Sequence, residues 1–398
     1  MVMQLLAILV LIAILYHHLL YPLLLKLWAS QAPKRVRGAR SERRANQPAI
    51  TLIIPAYNEA DFISEKIANL GFIDYPANKL RIIIACDGCS DNTAQLALAA
   101  AARPENSHLN LDVREFKKNR GKVAVVNQIV TSTDTSWVAL SDVSALISID
   151  AFNVVSPHMN TPNIGVICSH YQLLDPGSEG EVAYWKYQNQ IKVGEAYTGA
   201  TLGSHGACYL FRREAFQVLP DDTINDDFVL PMMIVGQGYR AVYESNLHAL
   251  ELEKASLGMD FRRRIRIAAG NLQQVWRLKQ LLLPQHGAIA FNFFSGKCLR
   301  VLMPYCMLLL LILSVLLSRD SWLWRGILLT QMIVYSSAVW VHFIQGGNES
   351  EALNVGLFAT LKHRINRVMK LFYYLVVGHV ANLVGSLRYM LGFENGRW

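Results

Sequence analysis

Four long apolar runs limit what this chain can fold into, because backbone placed in hydrocarbon must satisfy its own hydrogen bonds and does so as helix. The first, Val2 to Leu25, carries no charged residue and is long enough to cross a core of about 30 Å. It lacks a basic leader and outlasts the apolar stretch of a secretory signal, so it predicts an anchor. Leu299 to Ser318 and Trp322 to Ile344 are separated only by Arg319-Asp320-Ser321 and predict a membrane hairpin. A fourth run, Leu371 to Phe393, contains His379, Asn382 and Arg388, which are expected to face protein or the interface.

Charge fixes the expected orientation. The formal net charge is +8, and much of the excess adjoins the apolar runs. Lys26, Lys34, Arg35, Arg37, Arg40, Arg43 and Arg44 follow the first run, and Lys362, Arg364, Arg367 and Lys370 precede the last. This is the positive-inside pattern, with lipid headgroups rather than nucleic acid as the partner of the basic stretches. It predicts an integral protein of the cell's inner or plasma membrane, multi-pass, with a cytoplasmic middle and both ends outside. The six cysteines are scattered, and Cys86-Asp87-Gly88-Cys89 has no second pair to complete a zinc site, so a reduced domain without disulfides is expected.

Between the anchors the apolar pattern alternates between strand and helix. Ile50 to Pro55 precedes a helical stretch near Glu59, and Leu80 to Ala85 precedes Asp91 to Ala101. Leu111 to Phe116 precedes Lys122 to Val130, and Trp137 to Leu140 leads into Ser141-Asp142. Ile164 to Ser169, Ala207 to Arg212 and Tyr239 to Tyr243 read as later strands, with a helix at Phe228 to Val235. Such alternation predicts a doubly wound α/β domain. The expected organisation is an anchor over 1–26, a basic linker over 27–47, the α/β domain over 48–257, basic amphipathic interface helices over 258–298, and three membrane helices over 299–398 with a cytoplasmic loop near 346–370.

Carboxylates punctuate this pattern: Asp87, Asp142 and the pair Asp226-Asp227 fall at or near the ends of apolar runs, where a doubly wound sheet gathers nucleotide and metal ligands. In order, the chain presents Pro55-Ala56-Tyr57-Asn58-Glu59, Asp87-Gly88-Cys89-Ser90-Asp91-Asn92-Thr93, Gly121-Lys122 with Asn127, Ser141-Asp142, and Asn225-Asp226-Asp227. This ordered series resembles the inverting family-2 glycosyltransferases of the GT-A (Rossmann-like) fold, in particular the membrane branch containing cellulose, chitin-oligosaccharide and hyaluronan synthases. The resemblance covers about residues 48 to 300, and one helix before and three after the domain also looks like that branch.

The resemblance implies a donor site at Pro55, Tyr57, Glu59, Asp87, Lys122, Asp142 and Arg266. Asp142 would hold Mg²⁺ or Mn²⁺ against the donor diphosphate, although the family's DxD here reads Asp142-Val143-Ser144 and lacks its second carboxylate. Asp87 would contact the base and ribose; Asp91 reads instead as a helix cap, and Lys122 equally as a solvated lysine. Asp227, with Asp226 beside it, occupies the place of the catalytic base. His205 and Gly206 fall on the acceptor side, where a loop histidine is as easily structural. Arg263-Arg264-Ile265-Arg266-Ile267 stands in place of QxxRW: Arg266 matches the arginine, whereas Ile267 replaces the tryptophan on which a growing chain stacks. The same segment also reads as a basic helix lying on anionic lipid. The implied activity is hexosyl transfer from a nucleotide sugar of the UDP-hexose type to a lipid-linked saccharide or polysaccharide at the cytoplasmic face, in cell-surface polysaccharide synthesis alongside other assembly proteins. A processive synthase and a catalytically silent membrane scaffold are the alternatives.

Overall fold

The structure is a computed structural model that describes residues 1–31, 47–176, 179–253, 257–345 and 357–394. Its centre is an eight-stranded mixed sheet: β1 (Ile50–Ala56), β2 (Leu80–Asp87), β3 (Asn110–Phe116), β4 (Trp137–Leu140), β5 (Ala145–Ile147), β6 (Ile164–Leu173), β7 (Tyr209–Arg212) and β8 (Arg240–Glu251), in spatial order β3-β2-β1-β4-β7-β6-β8-β5. The first four strands are parallel, as the alternation predicts, with Ile50 level with Leu80 and Trp137. The later half departs from a doubly wound parallel sheet. β7 runs antiparallel to both β4 and β6, because it starts at the edge where β4 ends, Tyr209 facing Leu140 and Arg212 facing Trp137. The predicted strand at Ala207 therefore begins two residues later, and β6 and β8 extend well past their apolar cores.

Successive side chains on β1 enter opposite layers. Ile50, Leu52 and Ile54 pack with Ile63, Ile67 and Leu70 of α2 (Ile63–Gly71), with Ala94 and Ala97 of α3 (Thr93–Ala101), and with Phe152 and Val155 of α5 (Ala151–Met159). Ile53 joins the other layer, against Val126 and Ile129 of α4 (Lys122–Thr131) and Val229 and Ile234 of α7 (Asp226–Gly236). Covering both faces explains why these strands read as unbroken apolar runs.

Among the described residues, two helices are long and apolar enough to cross a membrane: α1 (Val2–Gln31) and α9 (Ala288–Leu317). They pack through Ala7, Val10, Leu310 and Leu313, while Leu5, Leu9, Leu308 and Ile312 stay exposed. α9 starts well before the expected boundary at 298, because the aromatic stretch Phe291 to Phe294 continues its apolar character. The runs after it form α10 (Trp322–Gln345) and α11 (Leu357–Met390), so helix already occupies the latter part of the expected loop near 346–370; residues 346–356 lie outside the described residues, as does 32–46 of the basic linker. Two further helices join the domain to these segments. α6 (Glu179–Tyr197) approaches α1 so closely that a methyl on Gly194 would lie 2.5 Å from the Leu25 carbonyl oxygen. α8 (Leu257–Arg277) approaches α11, where a methyl on Gly385 would lie 2.4 Å from the Ile265 carbonyl oxygen. The six cysteines are free.

Gly88 ends β2 with φ +64°, and its N–H donates to the Phe116 carbonyl at 2.9 Å. An added methyl would stand 2.2 Å from the Asn119 backbone nitrogen. Gly88→Ala is therefore expected to cost about 1–3 kcal/mol through left-handed strain and this clash. Thermal unfolding of the purified protein checks it, and an unchanged midpoint would contradict the account.

Candidate active site

Parallel β1, β2 and β4 deliver their C-terminal ends to one edge, and the antiparallel entry of β7 brings the loop before it to the same edge. The loops after β1 and β2 are stapled into one wall. Asn58, at φ +55°, accepts the Ser90 N–H at 2.8 Å, Glu59 N–H donates to Thr93 Oγ1 at 2.8 Å, and Ala60 N–H donates to Asp91 Oδ2 at 3.3 Å. Asp91 also accepts the Thr93 N–H at 3.0 Å, so it is structural as expected, although the cap position itself is Asn92. Pro55 pairs within β1 opposite Ala85, and Tyr57 is half-buried just beyond it.

Asp87 closes β2 in full burial. One oxygen, Oδ2, accepts the backbone N–H groups of Arg120 at 2.9 Å and Gly121 at 2.8 Å, which fastens the loop that starts α4. Its other oxygen has no hydrogen-bond partner, the nearest cation being Arg120 Nε at 3.8 Å.

That loop presents Lys122, which is not a solvated lysine. Its ammonium donates to Asp142 Oδ1 at 2.9 Å and stands 3.6 Å from Asp226 Oδ2. Burial opposes its charge, but Asp142 and Asp226 outweigh burial and raise its pKa. Burial would likewise raise Asp142, yet the Lys122 ammonium holds that carboxyl below its ordinary value. Gly206 passes so close that a methyl there would sit 2.6 Å from Asp142 Oδ2. Asn127, further along α4, faces away and clasps Leu219 through two backbone hydrogen bonds.

The acidic pair heads α7, where carboxylates meet the positive end of the helix dipole. Asp226 is buried, and its Oδ2 lacks a hydrogen-bond partner. Asp227 keeps partial access to solvent, and its carbonyl accepts both the N–H (2.9 Å) and the hydroxyl (2.8 Å) of Ser204. Burial and then the neighbouring Asp226 push the Asp227 carboxyl up to about 6. Glu59 is pushed up to about 7 by burial and then by Asp142.

α8 sets the pair's position from behind. Asn225 Nδ2 donates to the Ile267 carbonyl at 3.1 Å, Ile224 N–H donates to Gln273 Oε1 at 2.9 Å, and Arg277 reaches Asp222 at 2.6 Å. Only glycine fits opposite Asn225, since a methyl on Gly270 would lie 2.4 Å from its amide carbon. Ile267 thus contributes its backbone to the site while its side chain is 39% exposed. Arg266 and Arg263 are both exposed on the same helix; Arg263, 3.6 Å from Glu253, is a guanidinium whose charge bears on Asp142 and His205.

His205 is stacked on Tyr171, with centroids 3.7 Å apart, and meets Trp185 edge-on at 5.2 Å. Burial, and then Arg263, lower its pKa to about 3, so the ring is neutral. This places aromatic faces next to the Gly206 and Asp142 edge, a grouping that sequence spacing did not join. Lys66 is a second unforeseen residue. It interrupts the apolar stripe Ile63, Ile67 and Leu70, and its ammonium, lowered to about 8 by burial, donates to Ser141 Oγ at 2.7 Å and to the Ala145 carbonyl beneath Asp142.

The donors suited to a divalent ion are the hard oxygens of Asp142 and Asp226, which flank the point already held by the Lys122 ammonium, and the unpartnered Oδ2 of Asp226 has coordination to spare. Ser144, in place of the missing carboxylate, is buried and hydrogen-bonded to Glu251. The described residues contain no group of three or more metal-ligating side chains, so a cation here would draw its remaining ligands from a bound molecule and water.

The profile of the glycosyltransferase-like family 2 matches residues 48–270. Among curated relatives, the poly-beta-1,6-N-acetyl-D-glucosamine synthase of Staphylococcus aureus (strain MSSA476) is 27% identical over 236 residues, which are 57% of this chain and 56% of that protein. The synthase of the same name from Staphylococcus epidermidis is 23% identical over the same shares. The chain spans about half the length of these relatives. Among solved structures, the mannosyltransferase PcManGT from Pyrobaculum calidifontis, in complex with GDP-Man and Mn²⁺, superposes with a TM-score of 0.70 at 22% identity, covering 96% of this chain and 99% of that one; at this identity the likeness is one of fold. Because the family profile covers more than half of its length, the chain belongs to glycosyltransferase family 2 and is a glycosyltransferase with a GT-A fold.

Proposed function

We propose that this enzyme moves a hexose, with inversion, from a nucleotide-sugar donor of the UDP type to a lipid-linked saccharide or polysaccharide acceptor at the cytoplasmic face of the membrane. The observation that carries the reading is the separation of two carboxylate behaviours within one cleft: Asp142 held ionised by Lys122, and Asp227 raised to about 6 with solvent access. Asp87, through its unpartnered oxygen, would take the donor base, and Tyr57 and Glu59 would line the same wall. Lys122 and Arg263 would face the diphosphate. Mg²⁺ or Mn²⁺, held by Asp142 and Asp226, would supply charge neutralisation of the leaving group. Asp227 accepts the acceptor hydroxyl proton as the new O–C1 bond forms and the C1–O bond to the diphosphate breaks, which releases the nucleoside diphosphate. The apolar faces of α1 and α9 would anchor the domain, with α10 and α11 completing four crossings.

A processive synthase is the second reading. The relatives' names favour it, and the partly exposed Trp185 and His205 rings, backed by the buried Tyr171, provide aromatic surface that Ile267 lacks. Single addition predicts a short, lipid-extractable product from the purified protein; high-polymer product without a partner decides for the synthase.

Asp227→Asn is expected to lower transfer by about 10²-fold or more while leaving donor affinity nearly intact, since an amide keeps shape but accepts no proton. In the wild type the rate should climb as pH rises through about 6, where Asp227 ionises. A variant retaining a tenth of the rate, or a flat profile across that window, would remove Asp227 as base. Stability moves the other way. A carboxyl whose folded pKa is raised from 3.8 to about 6 binds more protons folded than unfolded between those values, so its contribution to stability is lost as pH rises through that window. Asp227→Asn should accordingly raise the unfolding midpoint at pH 7 relative to wild type and give no gain below about pH 4.

Chelation should stop turnover and Mg²⁺ or Mn²⁺ restore it, with Asp142→Ala weakening donor binding. Full activity in excess chelator excludes a required divalent ion. For topology, cysteines introduced near Met1 and Asp320 should react with an impermeant reagent in intact cells, whereas one near Arg40 should not; labelling at Arg40 reverses the orientation.

A further inference from the structure

Three cations gather around Glu195 where the α/β domain meets α1 and α9. Lys192 of α6 donates to the Gly203 carbonyl at 3.0 Å, next to the Ser204 that holds Asp227. Lys297 of α9 lies 4.5 Å from the centre of the Phe228 ring, beside Asp227 in sequence. Arg300 follows one turn along α9, its carbonyl accepting Asn382 Nδ2 of α11 at 2.6 Å. The carboxylate among the described residues that these three cations share is Glu195, which is buried and accepts the Leu202 N–H at 2.9 Å. Burial raises its pKa, which weakens it further as a counterweight. Asp227 also acts on Lys192 and Lys297, so three cations face two carboxylates, and the remaining positive charge in this half-buried place suits an anion.

Both surrounding helices carry a π turn at this level. α1 widens into a π turn at Tyr16–Leu20 and α9 into another at Phe294–Cys298, and the two wide turns touch: Tyr16 Oη lies 2.7 Å from Ser295 Oγ and His17 Nδ1 2.9 Å from the Ser295 carbonyl. Single π turns of this kind concentrate at functional sites. His17, His18 and His379 line up ring to ring at 4.9 and 5.1 Å, and the buried His18 Nε2 has no hydrogen-bond partner. Asn292, fully buried on α9, likewise leaves its Oδ1 unpartnered.

We infer that Lys192, Lys297 and Arg300 seat the phosphate or diphosphate linker of a lipid-borne acceptor, with the lipid tail leaving along the exposed apolar surface of α1 and α9 at Leu20, Leu23 and Phe294. The inference rests on the transferase reading above and deepens its acceptor side: the linker sits on the cations while the terminal hydroxyl, one saccharide unit away, reaches Asp227. The bond changes are those already given, so the linker phosphate is held and not cleaved.

The test uses the full-length protein in uncharged detergent with farnesyl diphosphate as probe, farnesol as the same tail without charge, and phosphatidylglycerol as a bulk anionic lipid, read by tryptophan fluorescence. Farnesyl diphosphate is expected to bind at least tenfold more tightly than farnesol, and not to be displaced by equimolar phosphatidylglycerol. Lys297→Gln with Arg300→Gln should weaken the diphosphate about tenfold or more and leave farnesol binding unaltered, whereas Lys297→Arg retains tight binding, which separates charge from folding. Equal affinity for farnesol, wild-type affinity in the double variant, or displacement by phosphatidylglycerol each overturns the seat, the last by reducing it to a general anionic surface. Hydrolysis of nucleotide sugar by the same wild-type preparation is scored separately: no hydrolysis of any donor with tight farnesyl diphosphate binding refutes the transferase reading alone, and hydrolysis without such binding refutes the seat alone.

Discussion

The Lys122 ammonium joins parts of the cleft that arrive from three directions: the start of α4, the end of β4 and the head of α7. Two carboxylates this close, 2.9 and 3.6 Å from one nitrogen, repel each other when the cation is absent. Removing one partner of such a partly buried set is destabilising, because it leaves charge without compensation. Lys122 in turn is placed by Asp87, whose two backbone hydrogen bonds fix Arg120 and Gly121 immediately before it. The carboxylate that ends β2 therefore controls the charge balance at the end of β4 without touching it.

The same cleft depends on the apolar helices. Asn225 is held by α8, α8 lies against α11 at Gly385, and α6, which carries Lys192, lies against α1 at Gly194. Both approaches bring backbone to backbone with no room for a methyl group. The position of Asp226 and Asp227 is thus set from one side by the sheet and from the other by helices that belong to the apolar part of the chain.

How much of this was legible in the sequence follows from which signals are local. Ile50 to Pro55, Leu80 to Ala85 and Trp137 to Leu140 announce buried parallel strands because both of their faces are covered, and the carboxylates that end them are visible in the same windows. The antiparallel insertion of β7 was not legible, since strand direction is set by where the preceding loop emerges and not by side-chain pattern. Lys122 read as a possible solvated lysine because its partners lie 20 and 104 positions away. Lys66 left a readable trace, a charge on the buried stripe of α2. That Arg263 is an α8 guanidinium whose charge bears on Asp142 depends on how α8 is rotated against the domain, and a helix with arginines at 262, 263, 264 and 266 does not specify that rotation.

Charge separation within the cleft also determines how it responds to its own substrate. Asp142 is kept ionised by a fixed cation, whereas burial and Asp226 set Asp227 near 6 and burial and Asp142 set Glu59 near 7, both poised close to neutral pH. A donor diphosphate entering beside Lys122 adds negative charge, which pushes both poised groups further up; a divalent cation arriving with it pushes them back. With Asp227 as the proposed base, the acid limb of kcat/KM would report it in the free enzyme and the limb of kcat would report it in the complex. The displacement between the two limbs therefore measures the net charge the cleft has taken up: upward for diphosphate neutralised by Lys122 alone, and little changed for diphosphate that arrives with its metal.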